Sequence, residues 1–214
     1  MADIPAMKKT ALAEAMTVSL PIAMRDEKSG RLIPVGPWIL GSENLICKFT
    51  EWRNYAMEMF FSHFTASLSS TERYLEDFSL AQNNRILFVI QSEGDMVGHI
   101  GLAHISNRHA EIDNVIRGER TNHQNLMFEA LKALVSWAFS ELRLNYLELR
   151  VTSDNWRAKD LYERVGFRVV QRSPLRKITD GETIHFVRCD KGHATESFTS
   201  DLMTLKFEAF PKKM

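Results

Sequence analysis

Residues 145–167 read NYLELRVTSDNWRAKDLYERVGF, and their reading decides the fold. In Tyr146-Leu147-Glu148-Leu149-Arg150-Val151 apolar and charged side chains largely alternate, the period of a strand that buries one face. Thr152-Ser153-Asp154-Asn155 breaks that period with side chains able to accept from free backbone NH groups. Beyond it Ala158, Leu161, Tyr162 and Val165 recur at helical spacing, and Gly166 stops the helix as a residue tolerant of positive φ does. Phe167-Arg168-Val169-Val170 resumes extended chain, so the unit is strand, polar turn, short helix, glycine, strand.

The spacing Asn155-x-x-Ala158-x-x-x-Tyr162-x-x-x-Gly166-Phe167 resembles the closing motif of the GNAT superfamily of N-acetyltransferases, which move an acetyl group from acetyl-CoA to an amine. The resemblance extends, more weakly, from about residue 44 to a last strand near Phe207. It implies an α/β fold with a mixed, mostly antiparallel central sheet and helices on both faces. A hairpin extension over residues 1–41 would precede an acetyltransferase domain over 42–214.

Immediately upstream, Ala130, Leu134, Trp137 and Ala138 form the stripe of a long helix, widened by Leu131, Val135 and Leu142. The residues before it are Arg117-Gly118-Glu119-Arg120-Thr121-Asn122-His123-Gln124-Asn125-Leu126-Met127. In the family this segment reads Arg/Gln-x-x-Gly-x-Gly/Ala, and its NH groups hold the CoA pyrophosphate at a helix N-terminus, where free donors and the dipole favour an anion. Aligned on Glu129-Ala130-Leu131, Asn122 takes the Arg/Gln position, and Asn125 and Met127 stand where two small residues are usual. The resemblance makes Asn122, His123, Gln124, Asn125, Leu126 and Met127 the cofactor loop, in a form that departs from the pattern.

Further upstream lies a meander. Residues 86–91 are a mostly apolar strand, Glu93-Gly94-Asp95 is a tight turn, 96–105 a second strand and 110–116 a third. With a short strand expected at 45–49 counted first, the third member becomes the family's fourth strand. The resemblance has it splay from the strand at 146–151 and offer Asn114, Val115 and Ile116 to the pantetheine arm and thioester. Helical spacing begins at Trp52-Arg53-Asn54 and runs to Phe64; the resemblance implies that this segment forms one wall of the acceptor pocket, which makes Trp52, Arg53 and Asn54, with His63 and Phe64, candidate substrate contacts. Ser69-x-x-Glu72 has capping-box spacing.

Toward the termini, 18–24 and 31–35 suggest two strands turning near Ser29-Gly30. After Phe167 an extended run to Arg172, a polar connection with an Asp180-Gly181 turn, a return strand at 184–188 and a last strand at 202–207 complete the chain, and 190–200 read as a polar connection.

Composition removes several classes. A chain of 214 residues, 44% of them hydrophobic, can bury a full core, and its zero net charge and pI near 7.1 carry no electrostatic footprint for nucleic acid. Cys47 and Cys189 form no metal-ligand spacing, no apolar run approaches the ~20 residues of a membrane span, and Glu14 interrupts any signal-like run. The expectation is a cytoplasmic protein with reduced thiols, no metal and a small-molecule amine as partner; a homodimer is left open.

Acetyl transfer asks for one base, one or two backbone donors and one acid. Tyr162 matches the family tyrosine that points at the CoA sulfur, and Asn155 would bind the pantetheine arm or cap its helix. Glu111 and Asp113 are the base candidates, with His99 and His104 on the neighbouring strand. The run Asp113-Asn114-Val115-Ile116-Arg117-Gly118 with Ser153-Asp154-Asn155 looks like a subgroup associated with surface-sugar synthesis, which favours an amino sugar, nucleotide-linked or free, over a protein N-terminus or an aminoglycoside. A catalytically silent acyl-CoA-binding or regulatory module on the same fold is the competing class, motivated by Asn125 and Met127.

Overall fold

The structure, a computed structural model, describes residues 3–23, 30–189 and 201–208. Among the described residues ten strands form one sheet, numbered in chain order and lying in the order β1-β2-β4-β5-β6-β7-β10-β8-β9-β3. Every neighbouring pair is antiparallel except β6 (His109–Arg117) with β7 (Tyr146–Thr152). The mixed, mostly antiparallel sheet matches the expected class.

Two short helices, α1 (Ile4–Met7) and α2 (Leu12–Thr17), precede the sheet. Strands β1 (Leu20–Ile22) and β2 (Gly30–Pro34) then pair, and β2 pairs onward to β4 (Ile86–Ser92), so this hairpin is part of the central sheet. Its turn at 24–29 lies outside the described residues, as does the connection at 190–200. Lys8 holds the N-terminal segment down by donating its ammonium to the carbonyls of Ser79, Leu80 and Gln82, at 2.7, 3.1 and 2.7 Å.

The strand expected at 45–49 is instead part of α3 (Glu43–Tyr55). Leu45, Ile46, Phe49 and Trp52 are all buried, and that i, i+1, i+4, i+7 spacing is the period of one helical face, which a five-residue window cannot separate from a strand. The place of the first core strand belongs to β2, and β6 remains the fourth. Helical structure expected beyond Trp52 stops at Tyr55; a single 3-10 turn at Met57–Met59 and the two-residue β3 (Ser62–His63) follow. Helix α4 (Leu68–Tyr74) is capped two residues earlier than expected, by Ser67 and Ser70 exchanging side-chain and backbone bonds, and runs on through a π-helical turn at Leu75–Leu80.

Each face of the sheet has its own core. Phe49, Trp52, Leu75, Val89 and Ile116 close one face under α3 and α4. On the other, α5 (Leu126–Ser140) and α6 (Trp156–Val165) cover Phe88, Ile100, Leu147, Leu149 and Phe167. Strand β5 (Asp95–Ala103) lies between β4 and β6, and β10 (Asp201–Glu208) between β7 and β8. The excursion after Phe167 is one continuous strand, β8 (Arg168–Asp180), whose first half pairs with β10 and whose second half pairs with β9 (Thr183–Arg188).

Gly166 is required twice. It ends α6 at φ +122°, donating to the Tyr162 and Glu163 carbonyls, and a Cβ there would meet the Phe207 ring at 2.6 Å.

Candidate active site

The parallel strands β6 and β7 pair over three residues only, His109 with Tyr146, Ala110 with Leu147 and Glu111 with Glu148. Past that point β6 continues to Arg117 and β7 to Thr152 without pairing to each other, so the sheet opens into a cleft at their C-terminal ends. Strand β6 also bulges against β5: Asp113 faces Gly101 and Ile116 faces His99, three steps on one strand against two on the other. Asn114 sits in this bulge at φ +52°, a conformation Asn tolerates better than most residues.

On a regular strand consecutive side chains point to opposite faces, whereas here Asn114 Nδ2 donates to Asp113 Oδ2 at 2.8 Å. The same amide donates to Tyr74 Oη at 2.8 Å, and Arg85 forms an ion pair with Asp113 Oδ2. Asp113 Oδ1 accepts no bond from the described residues. Burial, and then the Asp113 charge, push the Tyr74 phenol up to about 12. On the β5 side His99 is 4% exposed, with Nδ1 2.7 Å from the Asn114 carbonyl oxygen and its ring stacked on Phe49. Burial drives its pKa down to about 4 against the smaller opposing pull of that carbonyl and of Asp113, so the ring is neutral at physiological pH.

The other carboxylate on β6 is engaged. Glu111 accepts from Arg150 Nε at 2.7 Å and Nη2 at 3.1 Å, in the paired stretch rather than the open one, and His104 Nε2 lies 3.7 Å away. The Glu111 bond is the largest cause of a raised Arg150 pKa.

Tyr162 comes from the far side, on α6, buried edge-on against Phe167. Burial first, and the Asp113 charge second, raise its pKa well above the ordinary phenol value, which fixes it as a proton-bearing donor. Its hydroxyl makes no bond with another described residue. Asn155 caps α6, its side chain accepting from the Ala158 NH at 3.2 Å.

At the mouth of the cleft the chain leaves β6 through Gly118 and Glu119, whose NH groups both donate to the Val97 carbonyl at 2.9 Å. Helix α5 follows from Asn125, which makes no side-chain capping bond. Asn122, Gln124 and Asn125 are exposed, Met127 is half-buried and the Leu126 side chain is in the core. His123 Nε2 is buried without a hydrogen-bond partner, 3.8 Å from Glu93 Oε1.

Trp52, Arg53 and Asn54 end α3 with different surroundings. Trp52 is a core side chain against His99 and Gly118. Asn54 spends its amide on the Ala66 backbone, at 3.0 and 2.7 Å. Arg53 lies over the Phe60 and Phe64 rings, donates Nη2 to the Ser62 carbonyl at 2.6 Å and leaves Nη1 buried without a partner; burial lowers its pKa. Tyr74 and Arg85 escaped the reading of the sequence. The one signal for Arg85 is a cation at the start of an apolar strand, which has to find a partner close by.

A mixed sheet parted between two parallel strands, with an uncapped helix start at the opening, defines an acyltransferase-like fold. The profile of the acetyltransferase (GNAT) domain matches residues 43–168, more than half of the chain, and the protein belongs to the GNAT acetyltransferase family. Among curated protein sequences none matches this chain. Similar solved structures include a spermidine N-acetyltransferase from Vibrio cholerae in complex with CoA and spermine, at 17% identity and TM-score 0.61, covering 84% of this chain and 95% of that one. A probable GNAT-family acetyltransferase from Chromobacterium violaceum shares 16% identity at TM-score 0.64, over 88% and 86% of the two chains. A GNAT-family acetyltransferase from Bacillus anthracis shares 15% at TM-score 0.55, over 75% and 86%.

Proposed function

We propose that this chain is an acetyl-CoA-dependent N-acetyltransferase acting on a small primary amine in the cleft between β6 and β7. The observation that carries this reading is the three-residue pairing of the two strands, with the Asn114 bulge beside the opening. Acetyl-CoA supplies an acyl group activated as a thioester. An uncapped α5 start and the orphan His123 nitrogen suit its diphosphate, with Asn122, His123, Gln124, Asn125, Leu126 and the NH of Met127 around it, the Leu126 NH being already donated to the His123 carbonyl at 3.2 Å. Asn114, Val115 and Ile116 flank the pantetheine arm and thioester through their backbone, as does Asn155, whose side chain is already a cap.

Asp113 is the base in this reading, because its Oδ1 is open while Glu111 has both oxygens on Arg150. It takes the proton released as the amine nitrogen bonds the acetyl carbon, the C–S bond breaks, and Tyr162 donates to the departing sulfur. For the acceptor we propose an amino sugar, free or nucleotide-linked. Its support is the likeness of 113–118 and 153–155 to the sugar-modifying subgroup, together with the buried cation of Arg53. The Vibrio cholerae structure carries spermine, so a polyamine is the comparison the assay needs.

The test is acetyl-CoA binding and turnover. At about 100 times Kd, acetyl-CoA adds roughly 2.7 kcal/mol of stability by mass action, which appears as a raised Tm. Release of CoA thiol with glucosamine or its nucleotide-linked form, above that with spermidine or an N-terminal peptide, is the expected result. A raised Tm with no thiol release would return the chain to a silent acyl-CoA-binding module, and an unmoved Tm with no thiol release would overturn the acetyl-CoA reading.

A further inference from the structure

We infer that His99 is a positioning residue of the acetyl-transfer site: stacked on Phe49, it donates from Nδ1 to the Asn114 carbonyl and so holds the β6 bulge in place. The inference rests on the reading of the β6–β7 cleft as the transfer site. A carbonyl oxygen only accepts, so at 2.7 Å the hydrogen belongs to Nδ1. No other side chain among the described residues donates to that oxygen.

The bond matters because of what the bulge does. It turns Asn114 so that Asp113 and Asn114 meet on one side, and it carries the segment whose backbone flanks the reacting acyl group. Asn114 holds φ +52° only while neighbouring contacts over-determine it. The side-chain amide is held on Tyr74 and Asp113, and the carbonyl on His99. His99 is itself fixed from α3, its ring 4.6 Å from Phe49 and 6.2 Å from Trp52. Trp52 in turn lies so close to Gly118 that a Cβ there would fall 2.1 Å from the indole. A single aromatic ledge on the α3 face therefore sets both the bulge and the turn that leads to α5, and with them the distance between the acyl end and the phosphate end of the cleft.

Two variants separate the donor from the ring. His99→Phe keeps the stack on Phe49 and loses the hydrogen bond, whereas His99→Asn places an amide donor near the Nδ1 position and loses the stack. The expected result is a kcat lowered about tenfold or more in His99→Phe with acetyl-CoA KM within about twofold, and kcat largely recovered in His99→Asn although that variant melts earlier. Wild-type kcat in His99→Phe, or activity following Tm in both variants, would overturn the proposal. Ring nitrogen NMR on the wild-type protein provides a readout independent of turnover: a neutral ring protonated at Nδ1 is expected, and protonation at Nε2 overturns the bond. If the wild-type protein neither binds nor consumes acetyl-CoA, the transfer reading fails, while the tautomer still decides whether His99 holds the bulge.

Discussion

Two carboxylates two residues apart on β6 meet different fates, because Glu111 lies in the last paired position and Asp113 in the open one. Glu111 is held by the Arg150 fork, and Asp113 shares one oxygen with Arg85 and Asn114 while keeping the other open. Tyr162 faces the same charge from α6, its phenol kept protonated by burial and by Asp113. Tyr162→Phe is expected to lower kcat by ~10² while acetyl-CoA affinity, measured calorimetrically, stays within about twofold, since the ring still packs on Phe167. An unchanged kcat would leave the tyrosine as core only. His99 makes a second residue-scale prediction, on stability. Unfolded, it takes a proton near 6.5; folded, only near 4, so between those values the unfolded chain binds more protons and stability falls as pH falls. For a group this buried the linkage is on the order of 3 kcal/mol, lost on acidification through that window and fully retained above it. The wild-type Tm should therefore drop more steeply from pH 6.5 to 4 than that of His99→Asn; parallel slopes would show that His99 is not the neutral buried ring.

At the scale of elements, legibility followed the range of the interactions involved. The β7–α6–β8 unit was readable because its signals are local: Asn155 caps three residues ahead, Gly166 supplies a positive φ at the helix end, and the apolar spacing between them has one period. Helix α3 was misread over 45–49 because a short apolar run fits both periods, and only the burial of Trp52 one turn later resolves them. Ser69 and Glu72 have the spacing of a cap, yet Ser67 and Ser70 form it; several hydroxyls in a row offer competing starts that the sequence pattern does not rank. Strand β8 reads as interrupted because Pro174 and its polar flanks suggest a break, whereas that proline falls where the strand hands over from β10 to β9. Of the candidate site residues, Tyr162 was picked out by motif spacing, and Asp113 and Asn114 by their place on the strand that the resemblance makes the fourth. Arg85 and Tyr74 were not, since they reach Asp113 and Asn114 across 28 and 40 residues and no local period encodes such a pairing.

Over the whole molecule, the long strand β8 joins the cleft to the loop after α3. It passes Thr152 and Asp201 at the open end of β7 and β10 and continues with β9, which in turn pairs with β3. Ser62 of β3 bonds His185 of β9 at 3.0 Å through their side chains, and the Phe186 NH donates to the Phe61 carbonyl, so residues 60–63 are fastened from both sides. Arg53 reaches into this junction from α3, on the Ser62 carbonyl and between two phenyl rings. No carboxylate among the described residues pairs with it, although Glu51 and Glu58 are close in sequence. A half-buried guanidinium with an unsatisfied Nη1 and no counter-ion favours an anionic neighbour, and a phosphate on a nucleotide-linked amino sugar would supply one. Arg53→Ala should then raise KM about tenfold for phosphate-bearing acceptors, with KM for acetyl-CoA and for uncharged amino sugars within about twofold. A guanidinium that only organises residues 60–66 gives a different pattern, in which every acceptor loses kcat/KM alike and Tm falls with it. Uniform loss of that kind, or turnover of peptides or spermidine that ignores the substitution, would move the acceptor away from phosphorylated sugars.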